Sequence, residues 1–121
     1  MLLLDPRTLA ETCVKAAQDT RGYDITVLDI GRLTIISDYF VIVSGRSTTH
    51  VRAVADRIQE TLKEQGVSAL RREGYREGRW VLLDYGSVIV HVFVEEERVF
   101  YNLERLWGDA PVVSLQAGLQ T

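Results

Sequence analysis

The reactive side chains of this chain are few and widely spaced. His50 and His91 are its two histidines, and neither has a nucleophile at a recognisable offset. His91 stands in the apolar run Val88 to Val94, where a histidine is either a base or, more commonly, a hydrogen-bonded core group. Phosphoryl transfer needs paired carboxylates on adjacent strands to hold Mg²⁺. Asp84 follows Leu82-Leu83 and has no acid two places on, and Asp29 and Asp38 also lack such a neighbour. Gly45-Arg46-Ser47, between an extended run and a helical one, is a geometry that can hold an anion on free amide groups. It serves equally as a turn with Ser47, Thr48 or Thr49 as helix N-cap. Cys13 is the only cysteine, which excludes an intrachain disulfide and a cysteine-rich metal site. Catalysis is not indicated, and neither a metal nor a cofactor is expected.

Recognition chemistry is better represented. Trp80 opens an apolar run beside an arginine-glycine stretch, so it fits a core position or a contact surface equally. Trp107, beside Leu106 and near Leu103, reads more as core. Tyr101-Asn102-Leu103-Glu104-Arg105 mixes an aromatic, an amide, an apolar residue and two charges, as interface hot spots do. The other reading is a helix with one buried edge. Arg71, Arg72, Arg76 and Arg79 share a glycine-punctuated stretch with Glu73 and Glu77, a loop or hairpin tip of local positive charge.

The elements that must position these residues follow from period and punctuation. Asp5-Pro6 starts a helix, with Leu9, Cys13, Ala16 and Ala17 at helical spacing and Gly22 closing the run. Ile25 to Ile30 and Asp38 to Ser44 read as strands. Val51, Val54, Ala55, Ile58 and Leu62 make one apolar helical stripe, with Gly66 as the C′ residue. Val67 to Leu70 suits a short strand. Trp80 to Asp84 and Ser87 to Val94 flank Tyr85-Gly86 as a hairpin, and the second strand is apolar on both faces, so it belongs mid-sheet. A two-residue turn would pair Asp84 with Ser87, Leu82 with Ile89 and Trp80 with His91. One face then carries Trp80, Leu82, Asp84, Ile89 and His91; the other is plain core. After Glu95-Glu96-Glu97 the period becomes helical. The class is α/β: a small mixed β-sheet of about five strands flanked by helices, in one domain over 1–110. The tail 111–121 has no charged side chain and is expected to be weakly held.

Fourteen basic against seventeen acidic residues give a net charge of −3, without the basic excess of a dedicated nucleic-acid binder. A basic protein is the better electrostatic partner. The start MLLLDPR is too poor in apolar residues for a signal peptide, and no run is long enough for a membrane span. A cytoplasmic protein is expected.

Several runs together resemble the ribosomal silencing factor (Iojap-like) family. They are Ser37 to Gly45 with Ser47, His50-Val51 and Ala53; Glu73-Gly74; Gly78; Trp80 to Gly86; Val90 to Phe93; and Phe100 to Trp107. The likeness covers about Pro6 to Ala110, with the motifs in the family's order. It implies a nucleotidyltransferase-like fold without the catalytic acids. It also implies a non-enzymatic translation repressor that binds the large ribosomal subunit through ribosomal protein number fourteen and blocks subunit association. The positions matching the family's contact surface are Trp80, Tyr101, Asn102, Leu103 and Glu104. Trp80, Tyr101 and Leu103 would be apolar anchors, and Glu104 with Glu95 to Glu97 the acidic complement. Arg98 and Arg105 are further contact residues. Homodimerisation is implied too, and no direct dependence on nucleic acid or membrane is expected. The alternative is a divergent nucleotidyltransferase-like enzyme that binds nucleotide at the Gly45–Thr49 turn.

Overall fold

A computed structural model describes residues 4–114. Helix α1 (Pro6–Asp19) begins where Asp5 accepts the Thr8 amide. It ends through Arg21 in a left-handed conformation (φ 64°), with the Gly22 amide donating back to the Ala17 carbonyl. Strands β1 (Tyr23–Asp29) and β2 (Tyr39–Gly45) follow, then α2 (Thr48–Glu64), β3 (Arg71–Glu73), β4 (Trp80–Asp84) and β5 (Val88–Val94). Two short helices, α3 (Glu95–Tyr101) and α4 (Leu103–Leu106), come last. None of the helices among the described residues is long and apolar enough to cross a membrane.

The five strands form one mixed sheet in the order β1-β2-β5-β4-β3, with β2 and β5 parallel and the other pairs antiparallel. β5 lies at the centre with all its residues buried, as its two apolar faces require. On one face α1 and α2 pack Leu9, Cys13, Val51, Val54, Ile58 and Leu62 against Val41, Val43, Val90 and Val92. On the other, Leu28, Ile30, Phe40, Ile42, Ile89 and Phe93 are covered, among the described residues, by Leu103, Trp107 and Ala110. Trp107 therefore takes the core reading, with its ring edge-on to Phe40 at 5.6 Å.

Three local expectations are corrected. The β4–β5 register is shifted by two residues from the expected pairing: Asp84 faces Ile89, Leu82 faces His91 and Trp80 faces Phe93. The Asp84 carboxylate takes the Gly86 amide at 2.8 Å and the Tyr85 amide donates to the Val88 carbonyl, so the turn closes one residue further along on each side. A shift of two preserves side-chain parity, so both faces carry the residues expected. No strand runs from Val67 to Leu70. Val67 caps α2 by donating to the Leu62 carbonyl, and pairing to β4 begins only at Leu70, which bonds the Asp84 carbonyl. The arginine stretch is accordingly part strand (β3) and part tip. The final helical segment is two helices, broken at Asn102 with φ 46°.

The tail expected to be weakly held is engaged at its start. The Asp29 amide donates to the Pro111 carbonyl at 2.9 Å and the Val113 amide to the Val27 carbonyl at 2.8 Å, extending the β1 edge. Residues 115–121 lie outside the described residues.

Two glycines separate backbone strain from steric exclusion. Gly66 and Gly74 both have positive φ, but a Cβ on Gly66 meets open space whereas one on Gly74 runs into the Trp80 carbonyl oxygen. Gly66→Ala should cost about 1 kcal/mol, and Gly74→Ala at least about twice that, because the fixed β4 backbone cannot yield. Urea midpoints of the two variants measure the difference.

Candidate functional site

The thinly covered face exposes an aromatic cluster. Trp80 is half-buried, stacked on Phe93 at 4.8 Å between centroids, with Tyr101 4.7 Å away on α3. Its indole N–H donates to His91 Nδ1 at 3.1 Å. His91 therefore carries its own proton on Nε2, and Phe40 packs edge-on at 4.7 Å. The ring is a core group rather than a base: burial alone pushes its pKa down to about 4.

α3 is inverted relative to an ordinary surface helix. Arg98 is only 8% exposed, while its neighbours Val99 and Phe100 are 72% and 78% exposed. The guanidinium donates to Ser44 Oγ at 2.8 Å, Thr26 Oγ1 at 3.2 Å, and both Glu104 carboxylate oxygens at 3.1 and 2.9 Å. A buried charge is tolerated only when paired and hydrogen-bonded, and here three elements supply the partners. Arg98 was expected at a partner surface. It is instead the post that fixes α3 and α4 to the sheet.

The other expected residues gather around it. Asn102 sits at the break, its Oδ1 accepting the Arg105 amide at 3.2 Å, which caps α4. Leu103 is half-buried against the second core, and Arg105 is exposed. Exposed Phe100, Tyr101 and Leu106 extend the apolar surface, with Phe100 edge-on to Tyr101 at 5.0 Å. Much of the acidic run is already engaged: Glu95 accepts from the Tyr23 hydroxyl at 2.9 Å and Glu97 pairs with Arg79 at 2.8 Å. An open cleft of about 590 Å³ beside Arg98 is lined by Asp24, Glu95, Asn102 and Glu104 among others. Sequence reasoning missed Val99, Phe100 and Leu106 as surface groups, although Val99 and Phe100 directly after Arg98 and Leu106 directly after Arg105 were the available signal.

The Gly45–Thr49 turn is spent on structure. The Arg46 amide donates to His50 Nδ1 at 2.9 Å, the His50 amide donates to Ser47 Oγ at 3.1 Å, and His50 Nε2 reaches the Thr20 carbonyl at 2.6 Å. Two amides that a phosphate would use are thus occupied. Asp84 likewise holds Gly86 and Arg71. Among the described residues no group of three or more His, Cys, Asp or Glu is placed to hold a metal ion.

The mixed α/β domain thus combines an anchored aromatic face with a turn whose amides are occupied. Residues 4–121 match the family model "Ribosomal silencing factor during starvation". The chain is 40% identical over 116 residues to "Ribosomal silencing factor RsfS" of Bacillus subtilis (strain 168), covering 96% of this chain and 98% of that protein. It is 43% identical over 108 residues to the protein of the same name from Halalkalibacterium halodurans, covering 89% and 92%. A crystal structure of a Chromobacterium violaceum protein superposes with a TM-score of 0.85 at 35% identity, covering 94% and 96%. The chain belongs to the ribosomal silencing factor family.

Two predictions follow from the buried groups. His91 titrates near 6.5 when unfolded and near 4 when folded, so below pH 6.5 the unfolded chain takes a proton that the fold refuses. Its contribution is full above pH 6.5 and falls with pH by up to about 1.4 kcal/mol per unit, until it is lost near pH 4. His91→Gln, which keeps an acceptor for Trp80, should flatten the wild-type slope in urea unfolding between about pH 6.5 and 5. Arg98→Ala should cost about 3 kcal/mol, against less than about 1 kcal/mol for Arg79→Ala at an exposed pair. Arg98→Lys should recover little, since an ammonium cannot span Ser44, Thr26 and both Glu104 oxygens. Denaturant midpoints measure all three.

Proposed function

We propose that the protein binds the large ribosomal subunit through ribosomal protein number fourteen and sterically blocks joining of the small subunit, repressing translation without catalysis in the cytoplasm. The observation that carries this reading is the inverted α3. A helix that buries its arginine and turns Val99, Phe100 and Tyr101 outward beside Trp80 presents an apolar face of the kind that partners cover. Family membership supplies the ribosome as the setting. The cleft bordered by Asp24, Glu95 and Glu104 suits a basic side chain of the partner.

Trp80, Tyr101 and Leu103 act as anchors in this reading, with Glu104 and Asn102 at their rim and Arg105 outside it. Arg98 acts through Glu104 instead of touching the partner. A second copy of the chain would cover the same face, so self-association and docking compete. Occupied turn amides at Arg46 and His50 weigh against nucleotide binding.

Sedimentation with isolated large subunits, small subunits and preassembled ribosomes tests the proposal. Wild type should comigrate with free large subunits, and Tyr101→Ala should bind them at least about thirtyfold more weakly, as loss of a ~2 kcal/mol anchor implies. Its melting midpoint should change little, since Tyr101 is exposed. Equal comigration of both proteins would move the anchors elsewhere. Absence of wild-type comigration would defeat the reading.

A further inference from the structure

Arginine recurs most densely in one stretch of this acidic chain. Between Arg71 and Arg79, four arginines meet two glutamates, in a chain of net charge −3. Two of the four are spent internally: Arg71 pairs with Asp84 and Glu73, and Arg79 with Glu97. Arg72, Arg76 and, from α2, Arg52 are in no ion pair among the described residues.

The fold brings these three together. Arg52 Nη1 donates to the Arg76 carbonyl oxygen at 3.2 Å. The Arg72 guanidinium lies over the Tyr75 ring, its carbon 4.0 Å from the centroid. The Tyr75 hydroxyl donates to Asp56 on α2 at 2.9 Å, which holds the ring in place and occupies the nearest α2 carboxylate. Glu77 is the other acid of the tip. Arg72 and Arg76 are solvent-exposed and Arg52 is half-buried. Stacking on an anchored ring restricts the Arg72 side chain before any ligand arrives, so less freedom is lost on binding.

We infer that Arg52, Arg72 and Arg76 form a second contact that engages the phosphodiester backbone of ribosomal RNA while the Trp80–Tyr101 face engages protein. The inference rests on the docking reading above, and it departs from the expectation of no nucleic-acid dependence. Position bears on it: Arg79 directly precedes Trp80 and its carbonyl accepts the Val94 amide at 3.0 Å, so the stretch meets the docking face at Arg79, while Arg52 on α2 and Arg72, paired with Leu83, stand around the sheet edge on the α2 side. Chemistry supports it. Guanidinium groups match phosphate oxygens in pairs, and a protein of net negative charge approaches a polyanion best with exposed guanidiniums foremost.

Binding of wild type, Arg72→Gln/Arg76→Gln and Tyr101→Ala to isolated large subunits, measured across a potassium chloride series, tests this. The double variant should bind more weakly at low salt, with the slope of log K against log salt reduced by about 1.4 to 1.8 for two lost phosphate contacts. Tyr101→Ala should lose affinity and keep the wild-type slope. An unchanged slope in the double variant overturns the inference and leaves the docking reading intact. A photoreactive benzoylphenylalanine at position 76 should give an RNA adduct, and an adduct with ribosomal protein alone also overturns it. Failure of wild type to bind at any salt overturns both readings together.

Discussion

Both faces of β5 are buried, so the sheet must be covered twice, and the two covers are unequal. α1 and α2, of 14 and 17 residues, close one side with aliphatic side chains. α3 and α4 have 7 and 4 residues to close the other. Five strands at about 4.8 Å spacing make a sheet roughly 20 Å wide, which so little helix cannot span. The shortfall falls on the β4 side, where Trp80 and Leu82 stay half-buried. The candidate site is thus a consequence of how the second core is capped.

Helices this short have no stability of their own and need a tertiary anchor. Arg98 provides it, reaching β1, β2 and α4 with a single guanidinium. Turning that residue inward turns Val99 and Phe100 outward, since neighbours on one short helix cannot all face the sheet. An apolar residue in the position of Arg98 would bury more cheaply but would not hold Glu104. The arrangement gives up some hydrophobic burial and keeps a fixed surface.

What was legible in the sequence was local. The Asp5 cap, the α2 stripe and the doubly apolar β5 each announce themselves within a few residues, and each is present, while the α2 cap, open among Ser47, Thr48 and Thr49, falls to Ser47. The hairpin register was not legible, because it turns on whether the Asp84 side chain takes the Gly86 amide. Even so, the faces survived the error through parity. The misplacement of Arg98 had a different cause. Its partners Ser44 and Thr26 stand 54 and 72 positions away, and no short-range pattern reports that a charged residue will be buried against them. Of the site, Trp80 and Tyr101 are brought into contact as a shared face requires, while the acidic run proved to be largely tied to the chain's own residues.

Glu97 and Glu104 each pair with an arginine of the chain, so the acidic charge left beside the aromatics is that of Glu95 and Glu96. Trp80 is held by His91 at its nitrogen, by Phe93 beneath and by Tyr101 alongside. A partner covering it meets a ring whose freedom was already lost in folding, so the entropic cost of ordering is small. In the proposed docking, shape sets specificity at this face, while the inferred role of the guanidiniums around Tyr75 is to act at longer range and set orientation. Under that proposal the two roles are separated in space, so the close contact remains apolar while a molecule of net charge −3 is still guided toward a polyanionic particle.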